Sequence, residues 1–317
     1  MKSKYESGPP VVFLMGPTAS DKTAAACALV ERFDCEIVSV DSALVYRGLD
    51  IGTAKPNPDL LARYPHRLVD IRDPSESYSA GQFRDDALVA IDSITERRKI
   101  PLLVGGTGLY FRTLEHGIAA LPASDERVRE TLHQELSETG VEALHEQLAR
   151  VDPGSAARIH VRDKQRILRA LEVYRLTGKS MSALWRDTSP PQFPFRTLRL
   201  VLAPRDRSWL HERIKRRFGE MLTAGFINEV VGLRERGDLS LRNAALRTVG
   251  YRAIWQYLNG DYSYDEMVER GIVATRQLAK RQFTWFRSVS DCAWVNSSDT
   301  DALEQLAMAL KLHLQYN

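Results

Sequence analysis

Short apolar runs and helically spaced stretches alternate along the first third of the chain. Val11-Val12-Phe13-Leu14-Met15 is an unbroken apolar run rich in β-branched residues, the pattern of a buried strand. A polar turn follows, then helical spacing from Lys22 to about Phe33. Glu36 to Val40 predicts the next strand and runs straight into Asp41. His66 to Ile71 predicts a short strand, and Pro101-Leu102-Leu103-Val104 a clear one ending in Gly105-Gly106. A helix is expected between them, from about Ala80 to Arg97. Thr197–Leu202 and Ala293–Val295 complete the strands. Strands alternating with helices imply βαβ units, hence a parallel sheet covered on both faces.

The rhythm breaks between Leu121 and Pro194. This stretch is charge-rich and helix-patterned, without a good strand, and is bounded by Pro122 and by Pro190-Pro191 and Pro194. The expectation is an α/β protein: a P-loop-type parallel sheet flanked by helices, with a mostly helical inserted domain. The core would comprise residues 1–121 and 195–317, the latter carrying C-terminal helices, and the insertion residues 122–194.

Composition adds little until it is read locally. Apolar residues make up 44% and charged residues 27% of the 317, the balance of a soluble globular protein, and no apolar run is long enough for a bilayer. Met1 to Pro10 lacks a secretory apolar stretch, and Cys27, Cys35 and Cys292 have no metal-like spacing, so a reducing cytoplasmic setting is expected. Net charge is only +3, yet Arg158–Lys179 holds seven basic residues against two acids, and Gly271–Arg287 four against none. Such clusters are the footprint of a polyanion binder, although many charge runs are simply solvated helix faces. His133 and His145 have no partners at metal spacing and are expected as surface histidines.

Candidate chemistry begins at the end of the first strand. Gly16-Pro17-Thr18-Ala19-Ser20-Asp21-Lys22-Thr23 joins a strand to a helix, the context in which Gly-x-x-x-x-Gly-Lys-[Ser/Thr] cradles phosphate on backbone N–H groups and a helix N-terminus. Lys22 would reach phosphate oxygens and the Thr23 hydroxyl would hold Mg²⁺. Asp21 stands where the pattern has glycine. Aspartate tolerates a left-handed turn, but unless its carboxylate points away it should weaken diphosphate binding. Asp41 to Pro56 leaves the second strand at its carboxyl end, and Gly105 to Tyr110 leaves the strong strand at 101–104. In open parallel sheets both therefore face the same rim.

Taken together, these segments resemble the bacterial tRNA dimethylallyltransferases. The resemblance covers nearly the whole chain: Gly16–Thr23, Asp41–Pro56, His66–Asp70 with Asp73-Pro74, Tyr78-Ser79 with Phe83, Gly105–Tyr110, Arg169–Val173, Arg217-Phe218, Val249–Arg252, and Thr275–Gln282 with Thr284-Trp285. It implies a diphosphate seat at Gly16 to Thr23, with Mg²⁺ on Thr23. It implies Asp41 as general base, with Thr107 and Arg217 as further catalytic residues and Thr18 helping to orient the reactants. The implied substrates are dimethylallyl diphosphate and a tRNA anticodon stem-loop, modified at the adenosine 3′ of the anticodon, by a monomer. The implied tRNA contacts are Asp41, Ser42, Ala43, Leu44, Thr107, Arg129, Gln165, Arg166, Ile167, Leu168, Arg169, Arg247, Gly250, Tyr251, Arg252, Lys280, Arg281, Gln282, Phe283, Trp285 and Arg287.

The residues themselves suit that role. Arg158, Arg162, Arg166 and Arg169 fall on one helical stripe, with Ile167, Leu171 and Tyr174 on another face. Arg276, Lys280, Phe283 and Arg287 form a second stripe, cations interleaved with an aromatic, which suits phosphate contact plus base stacking unless the aromatics are core. Three rivals share features: a P-loop small-molecule kinase, an adenylate isopentenyltransferase, and an inactive tRNA-binding protein, which only Asp21 favours.

Overall fold

The computed structural model describes residues 8–117, 121–122, 124–187 and 193–315. The chain divides into two compact units, Met1–Glu115 with Phe193–Asn317, and His116–Gln192.

The first unit is built on a parallel sheet of six strands: β1 (Pro10–Met15), β2 (Cys35–Val40), β3 (His66–Arg67), β4 (Ile100–Gly105), β5 (Arg196–Ala203) and β6 (Cys292–Asn296), in the order β3-β2-β4-β1-β5-β6. Six strands were expected at these places. The third is shorter than the expected His66–Ile71, because Leu68 and Asp70 take left-handed backbone angles (φ 64° and 57°) and turn the chain out of the sheet.

Alternate residues of β1 face opposite ways, as a strand requires. Val12 and Leu14 meet Ala26 and Leu29 of α1 (Lys22–Arg32) and, near the C-terminus, Leu306 and Leu310. Val11, Phe13 and Met15 face the larger core. Leu60 of α2 (Pro58–Arg63) packs on the first of these faces, whereas the layer over the larger core begins with α3 (Ala80–Glu96) and α4 (Gly108–His116). Helix α3 starts with a capping box, in which Ser79 and Gln82 satisfy each other's backbone N–H groups at 3.2 and 2.9 Å.

The second unit holds α5 (Glu126–Val151), α6 (Pro153–Ala156), α7 (Lys164–Thr177) and α8 (Met181–Asp187), around a core of Leu132, Leu144, Leu148, Ile167, Leu171 and Val173. Helix α5 is broken at Gly140, whose φ of 84° a side chain would resist. Two buried carboxylates organise this unit. Asp152 accepts from the N–H groups of Ser155 and Ser182, both at 3.0 Å. Glu172 accepts from Ser124, from the Asp125 N–H and from Arg169 at 2.7 Å.

The chain then returns to the first unit through β5, followed by α9 (Arg207–Thr223), α10 (Phe226–Glu235), α11 (Tyr251–Leu258), α12 (Tyr264–Arg287), and after β6 by α13 (Ala302–Gln315). Helices α9 to α12 close the larger core through Ile214, Phe226, Tyr251, Phe283 and Phe286. Strands β1 and β4 are neighbours, but β1 leads to a helix on one face and β4 to a helix on the other. Their loops therefore part at the carboxyl edge, which is where open sheets offer a crevice.

Candidate active site

The loop after β1 is a tight turn held from within. Ser20 Oγ donates to the Pro17 carbonyl at 2.9 Å, and Lys22 Nζ donates to the same oxygen at 2.6 Å. Burial pulls the Lys22 ammonium down to about 8, against the Asp41 carboxylate, which favours its charge. Ala19 and Asp21 are both left-handed, at φ 63° and 62°. Asp21 precedes α1 but makes no side-chain cap to it. Its carboxylate instead pairs with Arg213 of α9, whose Nε also donates to the Ala19 carbonyl at 3.0 Å. The carboxylate, expected to weaken diphosphate binding unless it pointed away, is turned onto this cation. Thr23 lies exposed in the first turn of α1.

The loop after β2 carries Asp41, half-buried, whose Oδ1 accepts from the Ala43 N–H at 2.8 Å in a local turn. Asp41 is close enough to Lys22 and to Arg217 to favour the charge of both. Arg217, half-buried on α9, reaches the Thr53 carbonyl at 3.4 Å, and desolvation lowers its guanidinium from the ordinary value. Two cations and one carboxylate thus lie within electrostatic reach of one another beside the loop after β1.

The rest of this loop is pinned from outside the motif. Glu229 of α10 accepts from the N–H groups of Asp50, Ile51 and Gly52 at 3.0, 2.7 and 3.2 Å, and from the Tyr251 hydroxyl at 2.5 Å. Lys55 is buried and donates to the Tyr46 carbonyl at 2.8 Å, to Asp50 and to Asp70. Neither Glu229 nor Arg213 was marked by local sequence. The one signal that could have pointed to Arg213 was the misfit of Asp21 in its motif, since a carboxylate beside an anion site calls for a cation.

The loop after β4 joins the other two. Thr107 Oγ1 accepts from the Ser42 N–H at 3.1 Å, and the Thr107 N–H donates to Val40 at 3.2 Å. Gln282 of α12 accepts from the Thr18 N–H at 2.9 Å and donates to the Gly106 carbonyl at 3.0 Å. A Cβ on Gly108 would lie 2.2 Å from the Trp285 ring, so this position must be bare for α12 to approach, and one on Gly106, 2.3 Å from the Gln282 amide, would displace that side chain from its hydrogen bonds.

The residues expected to meet RNA divide by exposure. Ser42, Arg129, Gln165, Arg166, Arg247, Arg252, Lys280, Arg281 and Arg287 are exposed, and Ala43, Leu44, Leu168, Arg169, Gln282 and Trp285 partly so. Ile167, Gly250, Tyr251 and Phe283 are buried. The reading of Phe283 as a stacking platform is corrected: it packs in the larger core, with Arg287 over its ring at 5.8 Å. Tyr251 is likewise core, its hydroxyl on Glu229. Arg169 spans Glu172 and the Pro122 carbonyl at 2.7 and 2.6 Å, holding the second unit together. His133 is exposed as expected, and His145 is half-buried, its Nε2 3.2 and 3.0 Å from the Ala156 and Ile159 carbonyls.

Comparison with known proteins agrees with this site. Residues 44–289 match the family model described as IPP transferase. The tRNA isopentenylpyrophosphate transferase of Bacillus halodurans is 35% identical, over 98% of this chain and 97% of that one, with a TM-score of 0.71. The tRNA delta(2)-isopentenylpyrophosphate transferase of Staphylococcus epidermidis is 33% identical, over 97% and 99% of the two chains, with a TM-score of 0.68. A eukaryotic dimethylallyltransferase acting on tRNA is 26% identical, over 97% of this chain and 79% of that one, with a TM-score of 0.81. With a family model matched over residues 44–289 and similarity over nearly the whole chain, the protein belongs to the IPP transferase family.

Proposed function

We infer that this chain is a prenyl-transferring enzyme that moves a dimethylallyl group from dimethylallyl diphosphate to N6 of the adenosine immediately 3′ of the anticodon (position 37) in tRNA. The observation that carries this reading is the convergence of Lys22, Asp41 and Arg217 at the rim of the phosphate loop. The loop N–H groups, Lys22 and Arg217 face the place where negative charge grows as the allylic C–O bond breaks and its electron pair stays on diphosphate. The N6 lone pair forms the new N–C bond, and Asp41 takes the N6 proton as that nitrogen gains positive character. Thr107 fixes the Ser42 backbone beside Asp41 and so holds the base in register. Gly16 to Thr23 would seat the diphosphate.

Oxygen donors at this rim suit Mg²⁺. The Thr23 hydroxyl would hold it, with most ligands coming from diphosphate and water, as Mg²⁺ prefers. The ion would supply further neutralisation of the leaving group. Among the described residues no cluster of three or more His, Cys, Asp or Glu offers an all-protein cage.

An RNA acceptor is favoured over a free nucleotide by the exposed cations Arg166 on α7, and Lys280, Arg281 and Arg287 on α12, which a small-molecule kinase would not need. The target base would be presented unstacked from a loop, where extrusion is least costly. The anticodon stem-loop, the residues 122–194 as a separate RNA-contacting insertion, a monomeric state and a cytoplasmic setting belong to the same reading. Among the described residues no helix is long and apolar enough to cross a membrane.

The test uses labelled dimethylallyl diphosphate, Mg²⁺ and an anticodon stem-loop RNA with adenosine 3′ of the anticodon. Label is expected on that RNA and not on AMP. Asp41→Asn is expected to bind the RNA and lose at least about a hundredfold in single-turnover rate. Label on AMP alone, or phosphoryl transfer from ATP, would replace the reading with one of its rivals.

A further inference from the structure

Asp21 breaks the phosphate-loop pattern in two ways, and one residue answers both. The position needs a left-handed backbone, here φ 62° and ψ 26°, which glycine adopts without strain and aspartate tolerates. It also sits at the N-terminus of α1, where the backbone N–H groups must stay open to an anion. An aspartate there would ordinarily turn its carboxylate onto those N–H groups as a cap, and would repel an arriving phosphate.

The cap does not form in this fold. The Asp21 carboxylate makes no cap to α1 and is held by the Arg213 guanidinium. The same guanidinium takes the carbonyl of Ala19, the loop's other left-handed residue, at 3.0 Å. Arg213 is itself fixed over the Trp209 ring, 4.7 Å from its centroid. Arg217 lies one turn further along α9, so a single helix face presents one cation to Asp21 and another to the reacting centre.

We propose that the Arg213–Asp21 pair is a charge-compensating latch that stands in for the loop glycine, keeping the α1 N-terminus open for the donor's diphosphate; this rests on the reading of Gly16–Thr23 as the diphosphate seat. Arg213 is here a positioning residue. Its value lies in what it does to Asp21, so it should matter only while Asp21 is present.

A double-mutant cycle on the full chain separates this from a direct phosphate contact. The probe is inorganic pyrophosphate with Mg²⁺, titrated calorimetrically into wild type, Asp21→Gly, Arg213→Ala and the double variant. Arg213→Ala is expected to weaken binding by about tenfold or more in the wild-type background, as the freed carboxylate faces the anion. In the Asp21→Gly background the same change should cost no more than about threefold. Arg213→Gln, which keeps length but not charge, should repeat the pattern if the alanine variant folds poorly. Equal losses in both backgrounds would mean that Arg213 binds the diphosphate itself and would overturn the latch. So would an absence of any loss, or an absence of pyrophosphate binding by the wild-type protein. Failure of prenyl transfer to RNA with the cycle intact would count against the proposed reaction and leave the latch standing.

Discussion

The backbone N–H of Thr18 donates to Oε1 of Gln282 at 2.9 Å, across 264 residues of sequence. Because Nε2 of the same amide donates to the Gly106 carbonyl at 3.0 Å, one side chain of α12 fixes the spacing between the loops after β1 and β4. Gln282→Glu keeps the acceptor but sets a carboxylate against the carbonyl of Gly106. It should raise the KM for dimethylallyl diphosphate by about tenfold, and Gln282→Ala by about threefold, the range of one or two net hydrogen bonds. Arg281→Ala, on an exposed neighbour, should weaken RNA binding and leave that KM alone. Steady-state kinetics with each substrate varied separately distinguishes them. Weaker RNA binding with normal donor KM in the Gln282 variants would assign the amide to RNA instead.

Glu229 is the outside support of the Asp41–Pro56 loop. Removing its carboxylate strands the N–H groups of Asp50, Ile51 and Gly52 and the Tyr251 hydroxyl together. Glu229→Ala should lower unfolding stability by about 1–3 kcal/mol, the penalty of unsatisfied polar groups. It should also speed amide exchange at 50–52. An unchanged urea midpoint would mean that Lys55 holds the loop without it.

On α7, adjacent arginines of one stripe should behave differently. The Arg166 side chain is 73% exposed, whereas Arg169 holds the Glu172 carboxylate, which is 3% exposed. Arg166→Ala should reduce RNA affinity, with a shallower salt dependence, and leave the melting temperature within error. Arg169→Ala should lower the melting temperature, because it leaves a buried carboxylate without its cation. Loss of RNA affinity in Arg169→Ala with unaltered melting would reverse that assignment.

Asp73 joins the loop after β3 to the end of α10. Hydrogen bonds from Arg236, and then from Ser75, hold its carboxyl well below the usual carboxylate range. A folded pKa below the unfolded one stabilises the protein at pH values above about 4 and loses that stabilisation as pH falls further. Asp73→Asn should therefore be less stable than wild type at neutral pH, with the difference shrinking towards pH 2. A difference that stays constant through the acid range would show that the ion pair carries none of it.

Much of this could be read along the chain. Runs such as Val11–Met15 and Pro101–Val104 are buried on both faces, so their apolar character marks them as strands whatever surrounds them. Asp41 could be placed at the rim because strand ends in a parallel sheet share it, whereas Thr107 was singled out by the family resemblance. The aromatic stripe misled at Phe283, since helical spacing says which residues share a face and not whether that face meets RNA or core. The partners of half-buried His145 were likewise beyond local reach: they belong to α6 and the turn after it, more than ten residues away.

The sequence alone determined the alternation of strands and helices, the Gly16–Thr23 motif with its aspartate in place of glycine, and the carboxylate at the second strand's end. These follow from local periodicity and from motifs that lie within a dozen residues. Only the tertiary structure decided that Arg213 answers Asp21, that Glu229 holds the second loop, and that Gln282 spans the first and third. Each of those partners lies well over a hundred residues from the group it serves. A charge or an amide at such a distance carries no sign of its destination until the packing of helices on the sheet brings it there.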